Sequence, residues 1–203
     1  MDDDSSEKLR TDLGSAVRQW ERHGWSHRCI PWVEAESTVA AERTLLQINS
    51  LGRDLNLFDT FEEMQDPSEN DVDRFAKGAS KPLSEDSGYT RAVVPLERVR
   101  GLLCGTGYPK EEIHFVPRKM EDTLPVYAPD TITLLQLDPD LYASTKHELV
   151  HMYPRLTEFG EFIIDNYGQW SGSRRACNAC CVEKSVPMLL HRIDFTGRIV
   201  QKP

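Results

Sequence analysis

Apolar positions along this chain switch repeatedly between two spacings. Leu9, Leu13, Val17 and Trp20 recur at helical spacing and predict a helix over residues 5 to 23, capped by Ser5 or Ser6. The short apolar stretch from Cys29 to Glu34 reads as a strand. Ser37 to Ile48 then reads as a helix that buries Val39, Leu45, Leu46 and Ile48, and Ser50, Leu51 and Gly52 end it. From Asp54 to Phe58 polar and apolar residues alternate, and the strand they predict stops at Asp59. Residues 65 to 90 are polar and hold Pro67 and Pro82, which predicts a long loop or lid. Pro95 stands where a helix start tolerates proline, so a helix is expected over Leu96 to Cys104. Strands are expected over Ile113 to Val116, Ile132 to Leu137 and Phe162 to Asp165. The second of these is almost continuously apolar, as in a strand covered on both faces. Helices are expected over Tyr142 to Leu156, with Leu149, Met152 and Leu156 on one side, and over Ser171 to Lys184. Met188 to Ile193 and Arg198 to Val200, joined around Thr196 and Gly197, read as a closing hairpin.

Strands alternating with helices predict an α/β fold: a mostly parallel central sheet, helices on both faces and an antiparallel C-terminal hairpin. The domain reading is an N-terminal helical segment over residues 1 to 28 and one α/β domain over 29 to 203. Sheets of this kind bind ligands outside the carboxyl ends of their strands. Three expected strands end in or beside an acid: Asp59, Asp138 and Asp165.

Composition narrows the classes. Net charge is −9, a sign that repels phosphate backbones, so no nucleic-acid partner is expected. No apolar run reaches the roughly 20 residues needed to span a bilayer, so no membrane partner is expected either. The start, Met1 followed by Asp2, Asp3 and Asp4, is not that of a secretory signal, and a cytoplasmic location is the expectation. An odd set of 5 cysteines, three of them at Cys177, Cys180 and Cys181, is no disulfide framework. The sequence does not set the oligomeric state, and a homo-oligomer is compatible with it.

Asp59 at a strand end is placed to accept hydrogen bonds from ribose hydroxyls, or else to serve as a helix cap. If the fourth and fifth strands are neighbours, Asp138, Asp165 and Asn166 converge at one sheet edge. Two carboxylates and an amide carbonyl are hard oxygen ligands that suit Mg²⁺, while the bland alternative is loop acids and an Asx turn. A metal so placed would orient a substrate hydroxyl and lower its pKa. The general base would be an acid near the metal, such as Asp140, or an imidazole, and the sequence does not single one out. His147 to His151 (HELVH) matches the zinc-peptidase pattern HExxH. Against that rival stand Pro154 three residues later, the lack of a third ligand beyond the speculative Glu183, and a location between two apolar strands.

Several segments in order resemble the macrocin O-methyltransferase (TylF-type) family of class I S-adenosylmethionine-dependent methyltransferases. They are 53–64 (RDLNLFDTFEEM), 106–109 (TGYP), 114–125 (HFVPRKMEDTLP), 135–145 (LQLDPDLYAST), 153–156 (YPRL), 163–168 (IIDNYG) and 192–198 (RIDFTGR). The resemblance runs over roughly residues 30 to 203. It implies a Rossmann-like methyltransferase fold and metal-assisted methyl transfer from S-adenosyl-L-methionine to a hydroxyl of a small molecule of sugar or natural-product type. Carried over by motif, Asp59 resembles the ribose-binding acid, and Glu121 and Asp122 the adenine-side wall. Asp138, Asp165 and Asn166 resemble Mg²⁺ ligands, with Asp138 and Asp140 at the reacting centre and Asp138 also bordering the cofactor. The family's Glu-x-Gly-x-x-x-Gly-Gly-Ser loop after the first strand is replaced here by a glycine-free stretch from Val33 to Thr38, where Glu34 and Ser37 are left to meet the cofactor. That departure motivates a second reading, a non-catalytic relative with the same fold.

Overall fold

The computed structural model describes residues 30–32, 35–62, 71–72, 94–183 and 189–203, with the backbone alone for 30–32 and 35–37. The expected helix over 5 to 23, and with it the segment 1 to 28, lies outside these residues, as does most of the stretch read as a lid.

Among the described residues, seven strands alternate with five α-helices. They are β1 (Ile30–Trp32), α1 (Ala35–Gln47), β2 (Leu55–Asp59), α2 (Leu96–Leu103), β3 (Ile113–Pro117), α3 (Met120–Tyr127) and β4 (Ile132–Leu137). After them come α4 (Tyr142–Met152), β5 (Leu156–Ile164), α5 (Ser171–Glu183), β6 (His191–Arg192) and β7 (Arg198–Gln201). β1, β2 and β3 form parallel ladders, with Leu55 facing Ile30 on one side and Ile113 on the other. β4 pairs with β5 in parallel, and β7 joins β5 and β6 antiparallel. β1 lies beside β4. The order across the molecule is therefore β3-β2-β1-β4-β5-β7-β6. The chain reverses its lateral direction between β1 and β4, and such a switch point opens a crevice at the strands' carboxyl ends.

Alternation along the strands sends side chains to two cores. Leu55, Leu57, Leu134 and Ile163 pack with Leu45 of α1 and Leu103 of α2. Phe58, Leu135, Leu137, Phe162 and Ile164 pack on the other face with Leu149 of α4 and Cys177 of α5. Every residue of β4 is buried, as its continuous apolar run predicted.

Four elements depart from the sequence reading. α3 was not anticipated: it is short, and Pro125 lies inside it. α4 ends at Met152 rather than Leu156, because Pro154 cannot continue the ladder and forms a 3₁₀ turn over Tyr153–Arg155. Leu156 is instead the first residue of β5, which is longer than expected. Between Leu156 and Glu161 that strand bulges, with Phe159 at φ 59° and the register against β4 shifted. Of the first hairpin strand only His191–Arg192 pairs.

Glu42 of α1 is fully buried, and neither carboxyl oxygen has a hydrogen-bond partner among the described residues. Burial pushes its carboxyl up to about 7, and the nearby Thr106 hydroxyl eases this only partly, since it donates to the carbonyl of Leu103 at 2.9 Å. The folded state therefore holds this proton where the unfolded chain releases it, and stability falls as pH rises from about 4.5 to about 7. Glu42→Gln is expected to flatten that fall by on the order of 3 kcal/mol, read from urea denaturation at about pH 5 and pH 8.

Candidate active site

A cleft of about 150 Å³ opens at the switch point, lined from the ends of β2, β3 and β4 and the first turns of α4. Asp59, Glu121, Asp138, Asp140 and Glu148 face it. Asp59 emerges where the buried Leu55, Leu57 and Phe58 fix the end of β2. Its Oδ1 accepts from the backbone N–H of Phe61 at 3.1 Å, a tight turn that places Phe61 at φ 56°. The buried Phe61 ring packs on Phe115 at 6.3 Å and holds that strained turn in place. Burial raises the Asp59 carboxyl above its ordinary range, offset in part by hydrogen bonds from Phe61 and Thr60.

The tips of β4 and β5 meet through Asn166, whose Nδ2 donates to Asp138 Oδ1 at 2.7 Å. Asn166 stands at φ 57°, a region asparagine tolerates, and its backbone N–H donates to Asp165 Oδ1 at 2.9 Å. The same Asp165 oxygen accepts from Thr196 Oγ1 at 2.8 Å. Thr196 is held in turn by Asp194, whose Oδ1 accepts from the backbone N–H groups of Thr196 and Gly197 at 2.8 and 2.7 Å. Gly168 lets this hairpin loop approach: a Cβ there would lie 2.0 Å from the Phe195 carbonyl oxygen. Asp140 is pushed up to about 6, first by burial, then by the charge of Asp165; a hydrogen bond from Trp170 lowers it and Asp71 raises it further.

This donor set suits a hard divalent cation. Asp138, Asp165 and the Asn166 amide supply oxygen, and the shift at Asp140 records crowded negative charge with no cationic side chain among its causes. Among the described residues no three His, Cys, Asp or Glu side chains form a closed ligand set, so the trio is two acids plus an amide.

Asp71 escaped the sequence reading. It is buried, and its Oδ1 accepts from the backbone N–H of Tyr142 at 2.7 Å, capping α4 just beyond Asp140. Its neighbour Val72 accepts through its carbonyl from the backbone and hydroxyl of Ser171 at 3.0 and 2.9 Å, so the two residues strap the starts of α4 and α5 together. Gly172 makes room, since a Cβ there would lie 2.6 Å from Asp71 Oδ1. Asp71→Ala is expected to lower stability by about 1–2 kcal/mol, whereas Asp71→Asn, which keeps the acceptor, costs a few tenths; thermal melts of the two variants check this.

The remaining candidates separate. Glu121 lines the cleft, while Asp122 is exposed and does not. Ser37 falls in the first turn of α1, described as backbone only, and Glu34 lies outside the described residues. His147 and His151 stack on each other at 4.4 Å, whereas Glu148 between them turns to the cleft. The HELVH segment thus does not gather its three polar groups on one side. Thr196 was noted only as a turn residue and Glu148 only as part of that motif.

The profile of the macrocin-O-methyltransferase (TylF) family matches residues 37–202. The chain belongs to this family. Among curated relatives, 109 residues are 36% identical to the 8-demethyl-8-(2,3-dimethoxy-alpha-L-rhamnosyl)-tetracenomycin-C 4'-O-methyltransferase of Streptomyces olivaceus, covering 54% of this chain and 40% of that protein. A stretch of 57 residues is 40% identical to the demethyldecarbamoylnovobiocin O-methyltransferase of Streptomyces niveus, covering 28% of this chain and 22% of that one. These matches span less than half the length of either relative. Among solved structures, the O-methyltransferase NovP superposes with TM-score 0.78 at 23% identity over 96% of this chain and 79% of that one. The calicheamicin methyltransferase CalS11 gives 0.69 at 18% identity, over 95% and 77%. The fold is therefore the Rossmann-like methyltransferase fold of these TylF-type neighbours. No described helix is long and apolar enough to cross a membrane.

Proposed function

We propose that this TylF-family chain transfers the methyl group of S-adenosyl-L-methionine to a hydroxyl of a small molecule of sugar or natural-product type, assisted by Mg²⁺, in the cytoplasm. The observation that carries the reading is the meeting of Asp138 and Asn166 at 2.7 Å beside Asp165 and Asp140, on the same cleft edge as Asp59. The names of the curated relatives, all O-methyltransferases and one acting on a rhamnosyl group, support the acceptor class.

In this reading Asp59 accepts hydrogen bonds from the ribose hydroxyls and Glu121 borders the base. Asp138, Asp165 and Asn166 hold the cation, and Thr196 fixes Asp165. A divalent cation at such a site supplies orientation of the acceptor oxygens and a lower hydroxyl pKa. Asp140, with its carboxyl near 6, is mostly ionised at neutral pH and takes the acceptor proton. The acceptor oxygen forms its bond to the methyl carbon as the S–C bond breaks, leaving S-adenosylhomocysteine. Alignment of the two partners in the cleft supplies much of the rate.

Calorimetry with S-adenosyl-L-methionine tests the reading. Saturable binding, tightened by Mg²⁺ and acceptor, is expected. No heat at millimolar ligand would overturn it. The non-catalytic alternative, motivated by the glycine-free stretch from Val33 to Thr38, would then take its place.

A further inference from the structure

Glu148 lies on the cleft side of α4, one helical turn beyond Ser144, and both line the cleft. It is 1% exposed, and its Oε2 has no hydrogen-bond partner among the described residues. Burial pushes its carboxyl well above the usual carboxylate range, and the charge of Glu121 adds to this. Burial thus favours the protonated form, which carries an O–H donor beside a carbonyl acceptor. An unmet polar atom in such a place destabilises the protein until a partner arrives.

The location selects the partner. Asp138 and Asp140 occupy the strand-end side of the cleft, where the reacting groups belong. Glu148 is six residues along α4 from Tyr142, about 9 Å farther in by helical rise. The lining of the cleft that Asp59 and Glu148 share also includes the apolar side chains of Met120, Pro139 and Leu141. A slot with apolar walls and a polar end suits a flat heteroaromatic ring with a polar edge. The edge of adenine presents an amine donor next to a ring-nitrogen acceptor, the complement of a neutral carboxyl group.

Building on the cofactor reading above, we propose that Glu148 reads the nucleobase of the adenosyl cofactor through paired hydrogen bonds, its carbonyl accepting from the exocyclic amine and its hydroxyl donating to the adjacent ring nitrogen. The role is one of recognition and takes no part in methyl transfer. It also gives the glutamate that follows His147 in HELVH a role that needs no metal.

The test is calorimetric, on the full chain, with S-adenosylhomocysteine and with its analogue bearing unsubstituted purine, which lacks the amine. The wild-type protein is expected to bind the analogue about ten-fold more weakly. Glu148→Gln, whose amide keeps a donor beside an acceptor, should hold S-adenosylhomocysteine within about three-fold of wild type. Glu148→Leu should bind it about ten-fold more weakly and no longer distinguish the two ligands. Equal affinity of the wild-type protein for both ligands overturns the proposal without recourse to a variant. So does a Glu148→Leu protein that keeps the full preference for the amine. If the wild-type protein binds neither ligand, the cofactor reading itself falls and takes this one with it.

Discussion

Asp138→Ala is expected to weaken divalent-cation binding by about a hundred-fold or more, because it removes one of the two charged ligands of the proposed site and the acceptor that holds the Asn166 amide. Mn²⁺ is a suitable probe, followed by electron paramagnetic resonance in the presence of S-adenosylhomocysteine. The fold should survive, since Asp138 lies just past the end of β4 and is only half-buried. Circular dichroism and the urea midpoint should therefore stay close to wild type while the Mn²⁺ signal changes. An alanine variant that binds Mn²⁺ as tightly as wild type would move the cation site elsewhere. Methyl transfer, once an acceptor is in hand, should fall at least in proportion, because orientation of the acceptor oxygen is lost together with the cation.

The second large effect is expected at Asp59. Two hydrogen bonds from ribose hydroxyls to a carboxylate are each worth about 1.5–3 kcal/mol, so Asp59→Ala should weaken S-adenosylhomocysteine binding by about a hundred-fold. Alanine also removes the acceptor for Phe61 N–H, so part of the loss would come from the turn. Asp59→Asn separates the two contributions: its amide oxygen keeps the turn bond, and only the charge is lost. About ten-fold weaker binding is expected there, measured by calorimetry. Stability should move the other way. Burial raises the Asp59 carboxyl, which means the folded protein holds this charge at a cost, and the asparagine variant should unfold no earlier than wild type wherever the carboxyl is ionised. A stable variant that binds cofactor poorly is the signature of a group kept for ligand recognition rather than folding.

Much of this arrangement was legible in the order of residues. β2 and β4 were visible because alternation or continuous burial leaves a strong mark, and the acids that end them follow directly. Asp138, Asp165 and Asn166 could be singled out once those strands were taken as neighbours. The errors have separate causes. Leu149, Met152 and Leu156 obey helical spacing, yet Leu156 begins a strand, because Pro154 outweighs periodicity. α3 was hidden by Pro125 and by a length too short to show a period. Asp71 and Thr196 act on partners distant in sequence, Tyr142 and Asp165, and nothing near either residue announces the contact. Glu148 was visible only as a piece of a motif. Its direction depends on which face of α4 meets the cleft, and a helix of low amphipathic contrast does not reveal that in its sequence.

The hold of the C-terminal hairpin on Asp165 has a consequence for biosynthesis. Strands β1 to β5 can assemble while translation is still in progress, but the oxygen that Thr196 steadies stays loose until residues 191–201 have left the ribosomal exit tunnel and β7 has slotted beside β5. A nascent chain would thus acquire its overall shape well before any competence for chemistry.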